Sequence, residues 1–456
     1  MCLKSHYIKS LPKNTDIIGY ILNLWHTSDR FSSRQNIAMF FQQQSFQQQS
    51  FQRLSFWGMR SLLLGVVALT GCQSSHEEAE QQAHKILDTK HIYKLIPAAT
   101  TNRMAWANDV HAIMDELDIE RNLSHTCSII AVVDQESNFI ADPHVPSLGK
   151  KAIKEMNERL EKKLGARMAG YFNDMLAKQP SPDDNFLMQL EKVKTERELD
   201  ELYRQIFDFY TKQYNVNLLT SAARIIARQD IEETFNPVTT LGSMQVHIRY
   251  AVDHSRSGRN LHKIRDDVYT QYGGLYYGIH RLMTYPADYD KPIYRFADYN
   301  SGMYSSRNAA FQQMINKLNQ KESKQQDTSE KLNLDGDLLS YDKEGDVLSD
   351  STTTELALLQ LFRDKAVALD AKSIRRDLKK EKQQAFEQTP TYLQLKQLYD
   401  QQFKKPHPYA IMPQVVISGP KLSRDYDTNW YASRVNQRYT RCISRGKRMG
   451  FSIPKA

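Results

Sequence analysis

The stretch CSIIAVVDQE, from Cys127 to Glu136, restricts what this chain can fold into more than any other feature. Its apolar residues are too dense for one face of a surface helix, so the pattern predicts a core helix over residues 125–136. That helix ends at a carboxylate, Glu136. Burial and the negative end of the helix macrodipole both disfavour the ionised form, so we expect the pKa of Glu136 to lie above about 4.3. General acid catalysis near neutral pH needs a carboxyl group of this kind.

Helical spacing of apolar residues recurs along the chain, which predicts a mainly α protein. Residues 150–235 are rich in Lys, Glu and Arg and are broken at Pro180 and Pro182, which favours a helical hairpin with solvated charged faces. Residues 321–355 are polar and predict a long loop with a turn at Asp335-Gly336. The other predicted helices cover residues 104–118, 355–380 and 389–404, with a final amphipathic helix from Trp430 to Ile443.

The positive charge of the chain is unevenly distributed. The formal net charge is +8, and residues 1–71 contain seven basic and two acidic side chains, so little of the excess falls on the rest. This balance argues against a nucleic-acid-binding protein. The 13 histidines show no H-E-x-x-H or comparable spacing, so no metal is expected.

The segment MRSLLLGVVALTGCQSS, residues 59–75, is typical of an export signal, with Arg60 before an apolar run too short to span a bilayer. Its end, Leu69-Thr70-Gly71-Cys72, resembles the lipobox of bacterial lipoproteins, which implies a lipid on Cys72. Gln73 is not the aspartate that retains lipoproteins in the inner membrane, so we expect the periplasmic face of the outer membrane. The alternative is a short buried helix ending at a glycine.

Low-complexity sequence, including the repeat FQQQSFQQQSFQ at residues 41–52, precedes this signal. We therefore hypothesise that translation starts at or near Met59. The expected organisation is an upstream segment plus signal (1–71), a tether (72–103), a catalytic-type domain (104–320) with an insertion (150–235), and a C-terminal loop and helical extension (321–456).

Four motifs follow one another in the predicted domain. They are Glu136-Ser137, Gly242-Ser243-Met244-Gln245-Val246, YGGLYYGIHRL from Tyr272 to Leu282, and FADYNSG from Phe296 to Gly302. Together they resemble the catalytic domain of the soluble lytic transglycosylases, in the lysozyme-like superfamily, and look closest to an uncharacterised lipoprotein branch. The resemblance covers roughly residues 104–320, and the insertion 150–235 lies where typical members have a short loop.

The resemblance implies a lysozyme-like fold and a peptidoglycan substrate, with no metal and no organic cofactor. Glu136 would protonate the leaving oxygen and then act as base on the muramic acid 6-hydroxyl, while the substrate N-acetyl group stabilises the cation. The remaining roles are also carried over from the family. Ser137 would hold Glu136 or the N-acetyl group, Met244 and Gln245 would line the subsites, and Tyr299 and Asn300 would orient Glu136 and the acetamido oxygen.

Two other functions fit the same motifs. One is a non-catalytic lipoprotein that holds peptidoglycan in the groove and recruits a cell-wall protein through residues 150–235. The other is a muramidase, which needs a second carboxylate. Asp134 lies about 200° around the helix from Glu136, so Asp298 is the candidate that the motifs suggest.

The cysteine count predicts a disulfide. Cys2 would leave with the upstream segment and Cys72 would carry lipid, which leaves Cys127 and Cys442 as a pair in an oxidising periplasm. A bond between them would hold the C-terminal helix against the helix of Glu136. Two separate buried thiols are the alternative.

Overall fold

The fold is mainly helical, as the sequence predicts. The structure, a computed structural model, describes residues 86–213, 236, 238–256, 258, 260–320, 331–342, 346–417 and 425–453. Apart from Thr211 to Gln213, these residues belong to one compact unit made of residues 84–210 and 217–456. None of the helices within the described ranges has the length and apolar character needed to cross a membrane. The export signal, Met59, the lipid site at Cys72 and residues 214–235 lie outside the described residues.

Three helices build the first part: α1 (Thr89–Leu95), α2 (Arg103–Glu116) and α3 (Leu123–Glu136). Asp88 caps α1 by accepting a hydrogen bond from the His91 amide, and Leu95 is fully buried. The predicted tether of residues 72–103 is therefore wrong at its end, because the chain joins the core before α2. The core helix α3 ends at Glu136, as predicted.

The inserted region is more divided than the predicted hairpin. It folds as α4 (Leu148–Leu164), α5 (Ala166–Leu176), the antiparallel strands β1 (Pro180–Ser181) and β2 (Asp184–Asn185), α6 (Phe186–Lys192) and α7 (Glu196–Gln213). The break at the two prolines is present, but each arm splits again. In the first arm the split falls at Gly165, whose φ of +81° interrupts the helix.

The next part begins with a tight antiparallel pair, β3 (Thr240–Leu241) and β4 (Val246–His247), which encloses the G-S-M-Q motif. Gly242 has φ +74°, and a Cβ there would overlap the Val268 carbonyl. Gly278 has no side chain, which lets Met244 pack directly against its helix. The helices that follow are α8 (Ile248–Asp253), α9 (Leu261–Val268), α10 (Gln271–Met283), α11 (Pro292–Ser301) and α12 (Ser305–Gln320).

The C-terminal part packs a second core against α12. Leu332, Leu338 and Leu339 are buried in it, so the stretch predicted as a polar loop contributes apolar side chains to the core. The predicted bend at Asp335-Gly336 is present, with Gly336 at φ +83°. The predicted helix 355–380 divides in two. The elements are α13 (Thr353–Asp364), α14 (Ala371–Leu378), a 3₁₀ turn (Gln384–Gln388), α15 (Pro390–Phe403), the strands β5 (Val416–Ile417) and β6 (Tyr426–Asp427), and α16 (Thr428–Arg448).

Helix α16 lies antiparallel against α3. Cys127 and Cys442, the pair predicted from the sequence, are joined by a disulfide with their Cα atoms 5.5 Å apart. Near one end Ser124 Oγ lies 3.0 Å from the Tyr439 hydroxyl. Gly446 lets the two helices approach, because a Cβ there would overlap the side chain of Leu123. The last helix of the chain thus covers the helix that carries Glu136.

Candidate functional site

Glu136 occupies the last turn of α3, half-buried and facing other elements of the fold. The pKa of its carboxyl group is raised from 4.5 to about 7, chiefly by burial and to a smaller extent by the negative charge of Glu196. The Tyr431 hydroxyl and the positive charges of Arg281 and Arg438 act in the opposite direction. Burial is the largest of these effects, so a large fraction of Glu136 is protonated near pH 7.

Tyr431 is the direct partner of Glu136. Its hydroxyl donates a hydrogen bond to Glu136 Oε1, and its side chain is 5% exposed. The sequence motifs gave no role to this residue. The sequence did contain a signal for this partner. If α3 and α16 are antiparallel and joined through Cys127 and Cys442, Glu136 and Tyr431 lie at similar distances from the disulfide along their helices and therefore meet.

Tyr299 lies beside Glu136 but does not bond to it. Its hydroxyl donates to the Met244 carbonyl oxygen at 2.7 Å. Burial raises the pKa of Tyr299, Arg281 opposes that rise, and the Glu136 charge adds to it. Met244 itself is fully buried, so its side chain supports the packing of the motif and is not open to solvent. Tyr299 therefore links the β3–β4 turn to the helix α11.

Asn300 and Ser137 differ in whether their side-chain oxygen is available to bind a ligand. The Asn300 Oδ1 atom is buried and has no hydrogen-bond partner among the described residues. Buried polar atoms are nearly always paired, so this one is suited to a ligand N–H. The Ser137 Oγ instead donates to the Val133 carbonyl at 3.2 Å, which caps α3 and does not hold Glu136.

The insertion contributes Glu196, a carboxylate that the sequence interpretation assigned to a solvated face. Glu196 is only 4% exposed and its Oε2 accepts a hydrogen bond from Gln245 Nε2 at 3.0 Å. Thr240 donates to the other end of the Gln245 amide at 3.0 Å. Gln245, predicted to line a subsite, is thus held on both sides, and one of its partners comes from residues 150–235.

A buried ion-pair network fixes the helix of Glu196 in place. Asp200, one turn further along α7, accepts hydrogen bonds at 2.6 Å from both Arg265 Nη1 and Asn236 Nδ2. Arg204 lies 3.2 Å from its other oxygen. Because Arg265 belongs to α9, the network ties the insertion to the region of the G-S-M-Q motif.

Arg281 is a cation close enough to act on Glu136. Its guanidinium donates to the Tyr299 carbonyl at 2.9 Å and lies 5.1 Å from the centre of the Tyr299 ring. Its charge lowers the pKa of Glu136, which means that it favours the ionised carboxylate. Arg281 stands within the quoted YGGLYYGIHRL motif, although the sequence gave no reason to prefer it over its neighbours.

Asp298, proposed from the sequence as a second acid, is a structural residue. It is 0% exposed, and five donors occupy its two oxygens. These donors are the hydroxyls of Tyr285, Tyr289 and Ser305 and the backbone amides of Tyr304 and Ser306. Asp134 is likewise engaged, 3.1 Å from Arg438 Nε. Among the residues that the structure describes, no group of three or more His, Cys, Asp or Glu side chains could hold a metal ion.

Comparisons with known proteins give relatives without an assigned activity. A family model described as "Protein of unknown function (DUF1615)" matches residues 99–445. The Escherichia coli K12 protein described as "Uncharacterized protein YaiW" is 32% identical over 385 residues, which is 84% of this chain and 96% of that protein. No solved structure matches the chain.

Proposed function

The chain belongs to the DUF1615 family, and we propose that it is a peptidoglycan lytic transglycosylase that cleaves the MurNAc-GlcNAc β-1,4 bond. The observation that carries this proposal is the carboxyl group of Glu136, whose burial at the end of a core helix raises its pKa to about 7. An acid with that pKa is matched to proton transfer near neutral pH. The four motifs that resemble the lytic transglycosylases support a lysozyme-like arrangement for residues 104–320.

In the proposed reaction Glu136 first donates its proton to the glycosidic oxygen as the bond from C1 breaks. The Tyr431 hydroxyl holds Oε1, so we assign the mobile proton to Oε2. The ionised Glu136 then takes the proton of the 6-hydroxyl while O6 bonds to C1. No water is consumed, the product carries a 1,6-anhydro ring, and Glu136 is protonated again.

Two neighbouring residues, Arg281 and Asn300, suit the stage of the reaction that follows the first proton transfer. Arg281 lowers the pKa of Glu136 and therefore stabilises the carboxylate left after the first proton transfer. Asn300 Oδ1, buried and unpaired among the described residues, suits the N–H of the 2-acetamido group. That contact would turn the acetamido oxygen toward C1, where positive charge develops.

A muramidase is the second candidate, and Glu196 is the observation that favours it. Its negative charge acts on Glu136, so the site contains two carboxylates rather than one. A water activated by Glu196 would give a product one water heavier than the anhydro form. Asp298 is unsuitable for this role, because its oxygens are already occupied.

The proposed location is the periplasmic face of the outer membrane, with lipid on Cys72 and peptidoglycan strands as the partner. After a high-salt wash, which releases protein held only by charge, a Cys72→Ala chain should leave the outer-membrane fraction. If it still fractionates with outer membranes after that wash, the anchor has been assigned to the wrong residue.

Digestion of purified sacculi, followed by mass spectrometry of the released muropeptides, tests the reaction. The parent should release 1,6-anhydro products and Glu136→Gln should release none. Glu381→Gln is the matched control, because burial also raises the pKa of Glu381 to about 7 but this residue lies in the C-terminal core. Lysis by Glu136→Gln at the parental rate would refute the assignment. A parent that binds sacculi but releases nothing would favour a glycan-binding protein, including one that recruits a cell-wall protein through residues 150–235.

A further inference from the structure

The outer side of α16 carries a one-sided row of arginines. The helix contains six basic and no acidic side chains within TNWYASRVNQRYTRCISRGKR. Arg434, Arg441 and Arg448 recur at intervals of seven residues, so they share one side of the helix over about 21 Å. The neighbouring exposed side carries Gln437, Thr440 and Ser444, with Lys447 as its one basic residue. The positive charge is therefore concentrated in one direction.

Other charged helices of the protein are different. In α4, Lys154 pairs with Glu158, and in α7 Arg197 Nε lies 2.9 Å from Glu201, each four residues apart. Mixed signs at this spacing are typical of a solvated helix face. An all-basic row lacks this internal neutralisation.

The three exposed arginines of the row have no acidic partner among the described residues. Two intervening arginines are engaged by the protein: Arg438 pairs with Asp134, and Arg445 donates to the Leu95 carbonyl at 2.6 Å. Arg434, Arg441 and Arg448 are exposed, and no carboxylate of the described residues forms an ion pair with them. Burial lowers the pKa of Arg445, Asp134 opposes that effect, and the charges of Arg448, Arg441 and Arg103 lower it further. The exposed cations Arg441 and Arg448 thus act on the same neighbour.

An amphipathic aromatic group stands at the start of the row. The Trp430 ring stacks on Tyr426 with centroids 3.9 Å apart, and the Arg434 guanidinium lies 5.3 Å from the Trp430 ring centre. Val416, on the strand paired with Tyr426 and Asp427, is 67% exposed. Tryptophan, an exposed aliphatic side chain and arginines side by side are typical of surfaces that rest at a lipid headgroup region.

The chain also reaches this face shortly after the proposed anchor. Arg445 bonds to the last residue of α1, and only 13 residues separate Cys72 from Ile86, where the described residues begin. At full extension that stretch spans about 50 Å. A lipid on Cys72 would therefore keep the row within reach of the membrane surface.

We propose that the arginine row of α16, formed by Arg434, Arg441 and Arg448 with Trp430 at its start, docks on anionic phospholipid headgroups. Guanidinium groups bind phosphate oxygens through paired N–H donors, and a row of them matches a surface of phosphodiesters. The inference rests on the membrane location proposed above and not on the enzymatic reaction. Because the buried side of α16 carries Tyr431 and Cys442, such docking would orient the site relative to the membrane.

Vesicle binding tests this inference with the full chain carrying Cys72→Ala, which lacks the lipid. Vesicles of phosphatidylcholine alone are compared with vesicles containing about 30% phosphatidylglycerol. The chain should bind the anionic vesicles much more strongly, and salt should weaken that binding. Changing Arg434, Arg441 and Arg448 together to Gln should lower the partition coefficient roughly a hundredfold, since each cation near such a surface contributes about fivefold.

The matched control changes Lys372, Lys379 and Lys405 to Gln, which removes the same charge from exposed positions elsewhere. Its binding should stay close to that of the Cys72→Ala chain. Equal losses in both triple variants, or equal binding to neutral and anionic vesicles, would overturn the proposal. Capture of duplex DNA by the arginine row without vesicle binding would also overturn it. Adding Glu136→Gln should leave vesicle binding unchanged, which separates this test from the test of activity.

Discussion

Replacing Glu136 by Gln should stabilise the protein at alkaline pH, even though it removes the proposed catalytic acid. The pKa of Glu136 rises from 4.5 to about 7 on folding, chiefly because of burial. Below pH 4.5 the group is protonated in both the folded and unfolded states and its ionisation costs nothing. As the pH rises from 4.5 to 7 the unfolded state loses its proton first, so the free energy of unfolding falls.

The magnitude follows from that rise in pKa. At about 1.4 kcal/mol per pKa unit, the full cost above pH 7 is about 3 kcal/mol. Glu136 keeps some solvent contact, which screens the charge, so we expect a difference of about 2 kcal/mol. The amide of Gln has a similar shape, and its oxygen can still accept the Tyr431 hydrogen bond. The benefit of the substitution should therefore be near zero at pH 4.5 and complete at pH 8.

Denaturant unfolding at both pH values, with the disulfide intact and followed by tryptophan fluorescence, measures this difference. Glu381→Gln should show the same pH dependence, because burial raises the pKa of Glu381 to about 7 as well. Glu158→Gln, at an exposed position, relieves no burial and should change little at either pH. A Glu136→Gln effect that is the same at pH 4.5 and pH 8 would refute the raised pKa and, with it, the reasoning for a general acid.

Three further substitutions test the surroundings of Glu136. Tyr431→Phe removes a hydrogen bond that favours the ionised form, so the alkaline limb of the pH–activity profile should move up by about one unit; an unmoved limb would contradict this role. Glu196→Gln removes a charge that raises the pKa of Glu136, so the same limb should move down; an upward shift would exclude the effect. Changing Cys127 and Cys442 together to Ser should lower the free energy of unfolding by up to about 5 kcal/mol, and an unchanged denaturant midpoint would argue against the crosslink.

The local sequence pattern was sufficient to predict part of the site. The density of apolar residues before Glu136 predicted both the helix α3 and its burial, because these properties depend on consecutive residues. The cysteine count led to the pair that joins α3 and α16. The motif around Met244 was singled out by its resemblance to the lytic transglycosylases, and its Gly242 has the positive φ that the turn needs.

Contacts between distant segments of the chain could not be predicted from the local sequence. Glu196 stands in a charged region whose composition favours a solvated face, but it is buried and contacts the distant β3–β4 turn through Gln245. Asp298 and Tyr299 are adjacent in the sequence, but consecutive residues of a helix point about 100° apart. Tyr299 therefore faces the site while Asp298 collects hydrogen bonds elsewhere. Helical period can place both residues on α11, but it cannot say which of them meets a distant partner.

The antiparallel contact of α3 and α16 also sets the order in which the site can be completed. Glu136 is synthesised 295 residues before Tyr431, the residue whose hydroxyl binds it. A chain that stops anywhere before Tyr431 lacks that hydroxyl, and it also lacks the cysteine that pairs with Cys127. A fragment released early from the ribosome would therefore carry Glu136 on a helix that lacks its contact with α16. The arrangement of the site, with its hydrogen bond and its disulfide, therefore needs a chain that extends past Cys442 and has been oxidised.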